Sequence, residues 1–263
     1  MDLQLKNLRA IVTASSRGLG LATARSLAQE GARVAINGRE PSRLEKAANS
    51  LRHDTSAEVL AFPGDITDPD LPAAIVERVA ASWGGIDILV TNSGGPKPGP
   101  FESFSDEDWL QAFQLSFLSH VRLIRAALPF LKKSQAASVL TVTSYFVKQP
   151  IPNMILSNSI RSATIGLTKT LALELGSEGI RFNSILPAWT ETERTLSLFA
   201  NRAKANGTTV EEELQKQARN SAIGRMSTPQ EFGNVAAFLV SPIASYLTGV
   251  MLSVDGGLFK GIY

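Results

Sequence analysis

Short apolar runs of strand length recur along this chain, each separated from the next by a stretch of helical periodicity, and that alternation admits few folds. Arg9–Ala14, Arg33–Asn37, Glu58–Phe62, Ile86–Thr91, Ser138–Thr143, Arg181–Leu186 and Val250–Val254 read as buried strands. Between them lie helical stretches. The first carries apolar positions at Leu19, Ala22, Leu27 and Ala28, and Pro41–Leu51 has proline in its first turn. Pro72–Trp83, Asp106–Lys132, Asn153–Leu175 and Pro229–Leu239 follow. Strands joined by helices of this length pair in parallel through right-handed crossovers, and a parallel sheet needs helices on both faces. The expected fold is therefore α/β, one doubly wound parallel sheet over residues 1–263, without repeats, low-complexity segments or linkers. One segment interrupts the alternation. Trp189 to Ser227 reads as a largely helical insertion after a strand's carboxyl end, the edge where open α/β sheets bind ligands. A substrate lid or an oligomer contact would suit that place.

Composition narrows the function by exclusion. The net charge of +2 is too slight to argue for nucleic acid, and no block of like charge suggests a binding tail. The absence of cysteine removes disulfides, thiolate catalysis and cysteine-ligated zinc. His53 and His120 are the only imidazoles, far apart in sequence, so neither a histidine-built metal site nor a Ser-His-Asp triad is supported and no metal is expected. The first residues lack a signal peptide's basic and apolar regions, and no apolar run approaches a membrane span of about 20 residues. A cytoplasmic protein without a membrane or nucleic-acid partner is expected.

Chemistry concentrates in the turn Thr13-Ala14-Ser15-Ser16-Arg17-Gly18-Leu19-Gly20, between the first strand and its helix. Gly18 and Gly20 would let backbone approach a pyrophosphate at the helix N-terminus, where free amides and the macrodipole favour negative charge. This makes a dinucleotide site of the Rossmann type the reading of that edge.

From about Leu8 to Gly257 the chain resembles the short-chain dehydrogenase/reductase family, particularly its 3-oxoacyl-carrier-protein reductase-like members. The family's T-G-x-x-x-G-x-G turn appears with Ala14 in place of the first glycine. Its N-N-A-G stretch appears as Thr91-Asn92-Ser93-Gly94, and its adenine-binding acid matches Asp65, followed by Ile66. Its N-x-x-x-P-G matches Asn183 to Ala188, with Pro187 kept, and Thr190 follows on the cofactor side. Tyr246-Leu247-Thr248-Gly249 and Val254-Asp255-Gly256-Gly257 match almost letter for letter. The resemblance implies hydride transfer with a nicotinamide dinucleotide. A family member preferring NAD usually has an acid after the second strand, whereas this chain reads Asn37-Gly38-Arg39 there and carries Arg17 in the glycine turn. Two guanidinium groups beside a ribose 2′-phosphate favour NADP(H) over NAD(H).

The resemblance breaks at the catalytic set, which in the family is Tyr-x-x-x-Lys, a preceding serine and an earlier asparagine. Aligning through Ala163–Thr168 places Ser157 at the tyrosine, Arg161 at the lysine, Ser144 at the serine and Ser116 at the asparagine. Arg161 stays cationic and could still hold the ribose or polarise an oxygen. Ser157 is a far weaker acid than a phenol, whose pKa of about 10 can be tuned downward by a neighbouring cation. Tyr145, directly after Ser144 with Lys148 three residues on, is a candidate replacement donor, or else a wall of the pocket. Trp189 and Phe101 would line an apolar substrate pocket or simply pack, while His120 suits packing or an interface. Lys97, in the stiff loop Gly94–Pro100, reads as solvated or as a contact to an anionic substrate. Three functions stay open: a carbonyl or alcohol oxidoreductase with a non-standard proton donor, a silent NADP(H) sensor or scaffold, and a dehydratase or isomerase on the same fold. Asp106–Lys132 and Asn153–Leu175, with the tail Leu258–Tyr263, imply a homotetramer by family analogy.

Overall fold

The computed structural model describes residues 1–262; Tyr263, the end of the tail considered above, lies outside them. Seven strands form one parallel sheet in the order β3-β2-β1-β4-β5-β6-β7. They are β1 (Arg9–Val12), β2 (Arg33–Gly38), β3 (Val59–Pro63), β4 (Ile88–Thr91), β5 (Ser138–Val142), β6 (Arg181–Pro187) and β7 (Met251–Val254). The chain order reverses between β1 and β4, which pair in register Ala10–Ile88 to Val12–Val90. Ligands of open α/β sheets enter the crevice at such a switch point, beyond the carboxyl ends of the strands.

The apolar side chains that mark the strands in sequence fill two layers, one per face of the sheet. One layer joins Val12, Val34 and Val90 to α1 (Gly18–Gln29), α2 (Pro41–Thr55) and α9 (Pro229–Val240) through Leu27, Leu44 and Phe232. The other joins Ile11, Leu89 and Val139 to α3 (Leu71–Trp83), α5 (Ser119–Leu131) and α6 (Ile155–Leu175) through Ile75, Leu123 and Ala172. Fully burying each Leu, Ile or Phe of these layers contributes about 1.5–3 kcal/mol. Alternate strand residues face opposite layers, as Ile11 and Val12 do, so the period of two in the sequence becomes the two-sided core. Among the described residues no helix is long and apolar enough to cross a membrane.

Two departures from the expected elements matter. The single helix expected over Asp106–Lys132 is instead α4 (Asp106–Phe113), a π-helical segment Gln114–Leu118 and α5. The π segment holds Ser116, which is almost fully buried, and Thr164 of α6 donates to its carbonyl at 2.8 Å. The insertion after β6 forms α7 (Glu193–Asn206) and α8 (Val210–Asn220), capped by Thr192 and Thr209. A bridge between Thr190 and Ser227 closes its base, reinforced by a 2.8 Å hydrogen bond between their hydroxyls.

Candidate active site

The β1–α1 turn is built so that the Thr13 and Ser15 side chains face inward while that of Arg17 faces outward. Thr13 is fully buried, donates to Asn92 O at 2.7 Å and accepts from Asn92 N at 2.9 Å. Ser15, equally buried, donates to Val12 O at 2.6 Å and accepts from Asn37 N at 3.1 Å. Asn92 Nδ2 donates to Thr13 O and Ala14 O, pinning the turn against β4. Ala14 and Gly18 hold positive φ, +46° and +57°. At Gly20 a Cβ would lie 2.5 Å from Ala14 O and 2.9 Å from Ser15 Cα, so only glycine lets α1 start there. The helix begins at Arg17 with no side-chain cap, which leaves its first amides free for an anion.

Around this turn stand the arginines. Arg17 and Arg43 of α2 both grip the Glu193 carboxylate, the latter at 3.0 Å. Those bonds, Arg17's first, hold Glu193 below the usual carboxylate range. Arg39 faces Asp65 at 3.6 Å. Burial works to raise Asp65, but bonds from Thr67 and the charge of Arg39 bring it below its ordinary value.

A cleft opens next to the turn. Leu19, Asn92 and Ser93 border it on the cofactor side; Ser144, Ser157, Arg161, Phe146 and Met154 form its floor. Pro187, Trp189, Thr190, Thr192 and Arg194 close it from the β6 edge and the insertion. Among the described residues no Asp or Glu lines it. Arg161 is buried and its NH1 donates to Val142 O and Thr143 O, both at 3.0 Å. Burial, and then the charge of Arg194, pushes Arg161 down to about 10, so it remains a cation near neutrality. Beneath it, His120 Nδ1 is hydrogen-bonded to Thr91 Oγ1 at 2.7 Å. Burial, with Arg161 second, lowers His120 to about 3, which keeps the imidazole neutral. Ser116 Oγ, His120 Nε2 and Thr143 Oγ1 are buried without a hydrogen-bond partner among the described residues.

The arrangement matches known proteins along the whole chain. Residues 13–259 match the family model described as enoyl-(acyl carrier protein) reductase. A 3-oxoacyl-[acyl-carrier-protein] reductase of Chlamydia muridarum is 31% identical, covering 98% of this chain and 100% of its own. The chain belongs to the short-chain dehydrogenase/reductase family. It is thus an enzyme of a family of oxidoreductases, and its likeness to 3-oxoacyl-carrier-protein reductases stands. The L-sorbose reductase of Gluconobacter frateurii, solved with NADPH and L-sorbose, superposes with a TM-score of 0.95 at 33% identity, covering 100% of both chains. An NADPH-bound short chain oxidoreductase of Pseudomonas aeruginosa, described as containing an atypical catalytic center, superposes with a TM-score of 0.88 at 32% identity. It covers 97% of this chain and 99% of its own.

Set against the short-chain dehydrogenase/reductase pattern, the structure brings together Ser144, Ser157 and Arg161 in the cleft, beside Asn92, Ser93, Pro187 and Thr190. Gly94 is not on the cleft wall, whereas its neighbour Gly95 is. Tyr145 does not join them. It is 4% exposed, packs edge-on against Phe146 within the cluster of Met154 and Leu258, and lies off the cleft wall. Tyr145–Val147 forms a single 3-10 turn capped by Ser144, whose Oγ accepts from Phe146 N at 3.3 Å, and this turn carries Ser144 and Phe146 to the cleft and Tyr145 away from it. Burial raises the Tyr145 phenol, and Lys148 lies over Phe259 instead of pairing with it. The Thr13 and Ser15 hydroxyls are occupied by internal bonds. Ser16, next along, faces Gly38 at the end of β2. Ile66 belongs to the core. Phe101 is exposed against Trp109, and Lys97 pairs with Asp108 at 2.9 Å, so neither is in the cleft. The sequence motifs single out none of Arg43, Thr192 and Arg194: Arg43 stands four residues past Arg39 on α2, while Thr192 and Arg194 come to the cleft from the insertion.

Proposed function

We propose that this protein is an NADP(H)-dependent oxidoreductase that moves a hydride between the nicotinamide and a carbonyl or alcohol carbon without a tyrosine donor. The observation that carries the reading is that Ser144, Ser157 and Arg161 line one cleft beside a turn whose amides, glycines and arginines fit a phosphorylated dinucleotide. The NADPH-bound relatives support the same cofactor. Free amides of α1 would hold the pyrophosphate. Arg17, Arg43 and Arg39 surround the place of a 2′-phosphate and would exchange Glu193 and Asp65 for it. NADP(H), when bound, supplies or accepts the hydride. Arg161 then serves two purposes: it donates toward the ribose hydroxyls and, as a buried cation, stabilises oxygen charge developing at the reacting carbonyl. Ser144 orients that oxygen, and Ser157 passes it a proton drawn from solvent. The helical insertion α7–α8 is the substrate lid, hinged at the Thr190–Ser227 bridge. The exposed apolar residues Leu110, Phe113 and Leu173 on α4 and α6 suit the faces of a homotetramer.

The test is anaerobic incubation with NADPH and a panel of ketones, diketones and quinones, followed by nicotinamide absorbance. Turnover is expected, and Ser144→Ala with Ser157→Ala should lower it about a hundred-fold or more without weakening NADPH binding. NADPH should bind several-fold more tightly than NADH, and Arg17→Ala with Arg43→Ala should erase that preference. Tight NADPH binding without turnover on any substrate would make the protein a silent binder.

A further inference from the structure

Many arginines in this protein sit against carboxylates, as Arg9 does with Asp87, Arg25 with Asp54, Arg33 with Glu58 and Arg225 with Glu231. Arg181, which is shielded and has no ion pair among the described residues, donates instead to four backbone carbonyls. Two arginines of the cleft have neither a carboxylate nor a full set of carbonyls. Arg161 spends NH1 on two carbonyls, while its Nε and NH2 have no partner among the described residues. Arg194, in the first turn of α7, arches over Gly95 and donates from NH2 to Pro96 O at 3.1 Å; it too has no ion-pair partner among the described residues. The two cations are close enough for one to depress the other, and no acid lines the walls between them. Two like charges held around a desolvated space are costly until an anion enters. The apolar part of the wall is made by Phe146, Met154, Trp189 and Leu198.

Resting on the oxidoreductase reading above, we propose that the substrate is an oxo acid or the matching hydroxy acid, and that Arg194 is the specificity-determining residue that anchors its carboxylate. The carbonyl would lie at Ser144 and Ser157, its hydrocarbon against the aromatic wall, and its carboxylate at the guanidinium carried by the lid. Closing the lid over the correct substrate would then be driven by the charge that selects it. The cofactor's own pyrophosphate offers the same anionic chemistry, so the experiment separates the two sources.

NADPH-saturated protein is titrated calorimetrically with short α-, β- and γ-oxo acids and with their methyl esters, and NADPH consumption is followed in parallel. At least one acid should bind about ten-fold or more tightly than its ester, the advantage of a charge-assisted arginine contact. Arg194→Ala should level acid and ester while shifting the NADPH dissociation constant by less than about two-fold; Arg194→Lys, with the charge kept, should restore part of the preference. Esters binding as well as acids, or no acid binding at all, would overturn the assignment. So would an Arg194→Ala variant that loses NADPH as severely as the acid, because the arginine would then belong to the pyrophosphate. Acid preference lost in Arg194→Ala but without NADPH consumption in the parent would support the anchor and overturn the oxidoreductase reading instead.

Discussion

The two halves of the cleft are built on opposite principles. In the turn Thr13–Gly20 the side chains of Thr13 and Ser15 are spent on internal bonds and, Arg17 apart, the functional surface is backbone, so the residues there answer to geometry. In the corner Ser144–Arg161 the functional surface is side chain, and the residues answer to chemistry. The family's motif drifts differently in each. The turn tolerates Ala14 at a glycine position because the amides still point outward. On the proposed alignment the corner carries Ser157 in the place of the family's tyrosine and Arg161 in that of its lysine, which would change what atoms meet the substrate. On that reading the cofactor half of the site is kept nearly intact while its reaction half is rewritten.

The largest expected effect tests the geometric half. Gly20→Ala would drive a Cβ against Ala14 O, Asn92 Nδ2 and Ser15 Cα, two of them backbone and unable to swing aside. About 2–4 kcal/mol of stability should be lost, together with NADPH binding, read by chemical denaturation and by nicotinamide fluorescence. A variant as stable as its parent would show that the turn is not the rigid element described.

The next effect should be opposite in kind. Arg161→Met removes a buried charge that no carboxylate compensates and fills much of the same volume. Stability should be unchanged or higher, because replacing a buried ion by packed apolar atoms is often neutral or favourable. NADPH should nevertheless bind about ten-fold less tightly, as charge-assisted donation to the ribose is lost. Loss of stability and binding together would mean that the corner, like the turn, is held by its functional residue.

How much of this was legible in sequence follows the same division. The sheet was readable because strand and helix periods alternate over long stretches, and the glycine turn because spacing alone encodes it. The π segment was hidden, since Asp106–Lys132 keeps helical periodicity while its backbone gains one residue at Gln114–Leu118. Tyr145 was attractive by composition and position. Its direction is set by the 3-10 turn Tyr145–Val147 that follows β5, and strand alternation carries no signal of that turn. Arg43 stands only four residues past Arg39, at the start of α2, whereas Arg194 could not be found by any local pattern, because tertiary folding alone carries α7 to the cleft.

A pH dependence sharpens the comparison on the side-chain half. His120 has a folded-state pKa near 3 against an ordinary value of 6.5. The stability it contributes is present above about 6.5 and is lost as pH falls, because the unfolded chain takes up a proton that the folded chain refuses. By about pH 5 the loss is about 2 kcal/mol. His120→Gln, which can keep a hydrogen bond to Thr91, should flatten the decline between neutrality and about pH 5 in denaturation midpoints. The turn holds no titrating group that would do the same. An unchanged acid limb in the variant would show that other groups set it.

The smallest effect concerns the one residue of the turn that disobeys the family pattern. Ala14 holds φ at +46°, in the left-handed region where a Cβ crowds its own carbonyl. That costs about 1–2 kcal/mol in an L-residue. Its neighbours enforce it: Ala14 N donates to Asn37 Oδ1 at 3.3 Å and Ala14 O accepts from Asn92 Nδ2 at 3.2 Å. Ala14→Gly relieves the strain but gives the unfolded chain extra freedom, worth about 0.4–1 kcal/mol the other way. The net gain should be up to about 1 kcal/mol, a rise of about 2–4 °C in melting temperature for a chain of this size. NADPH affinity should not move, because the turn offers the cofactor amides and glycine carries the same one. A melting temperature that falls would show that Ala14 packs usefully enough to outweigh its strain. Altered NADPH affinity would instead show that its methyl group helps shape the cofactor edge, and the turn would then share the side-chain dependence of the corner.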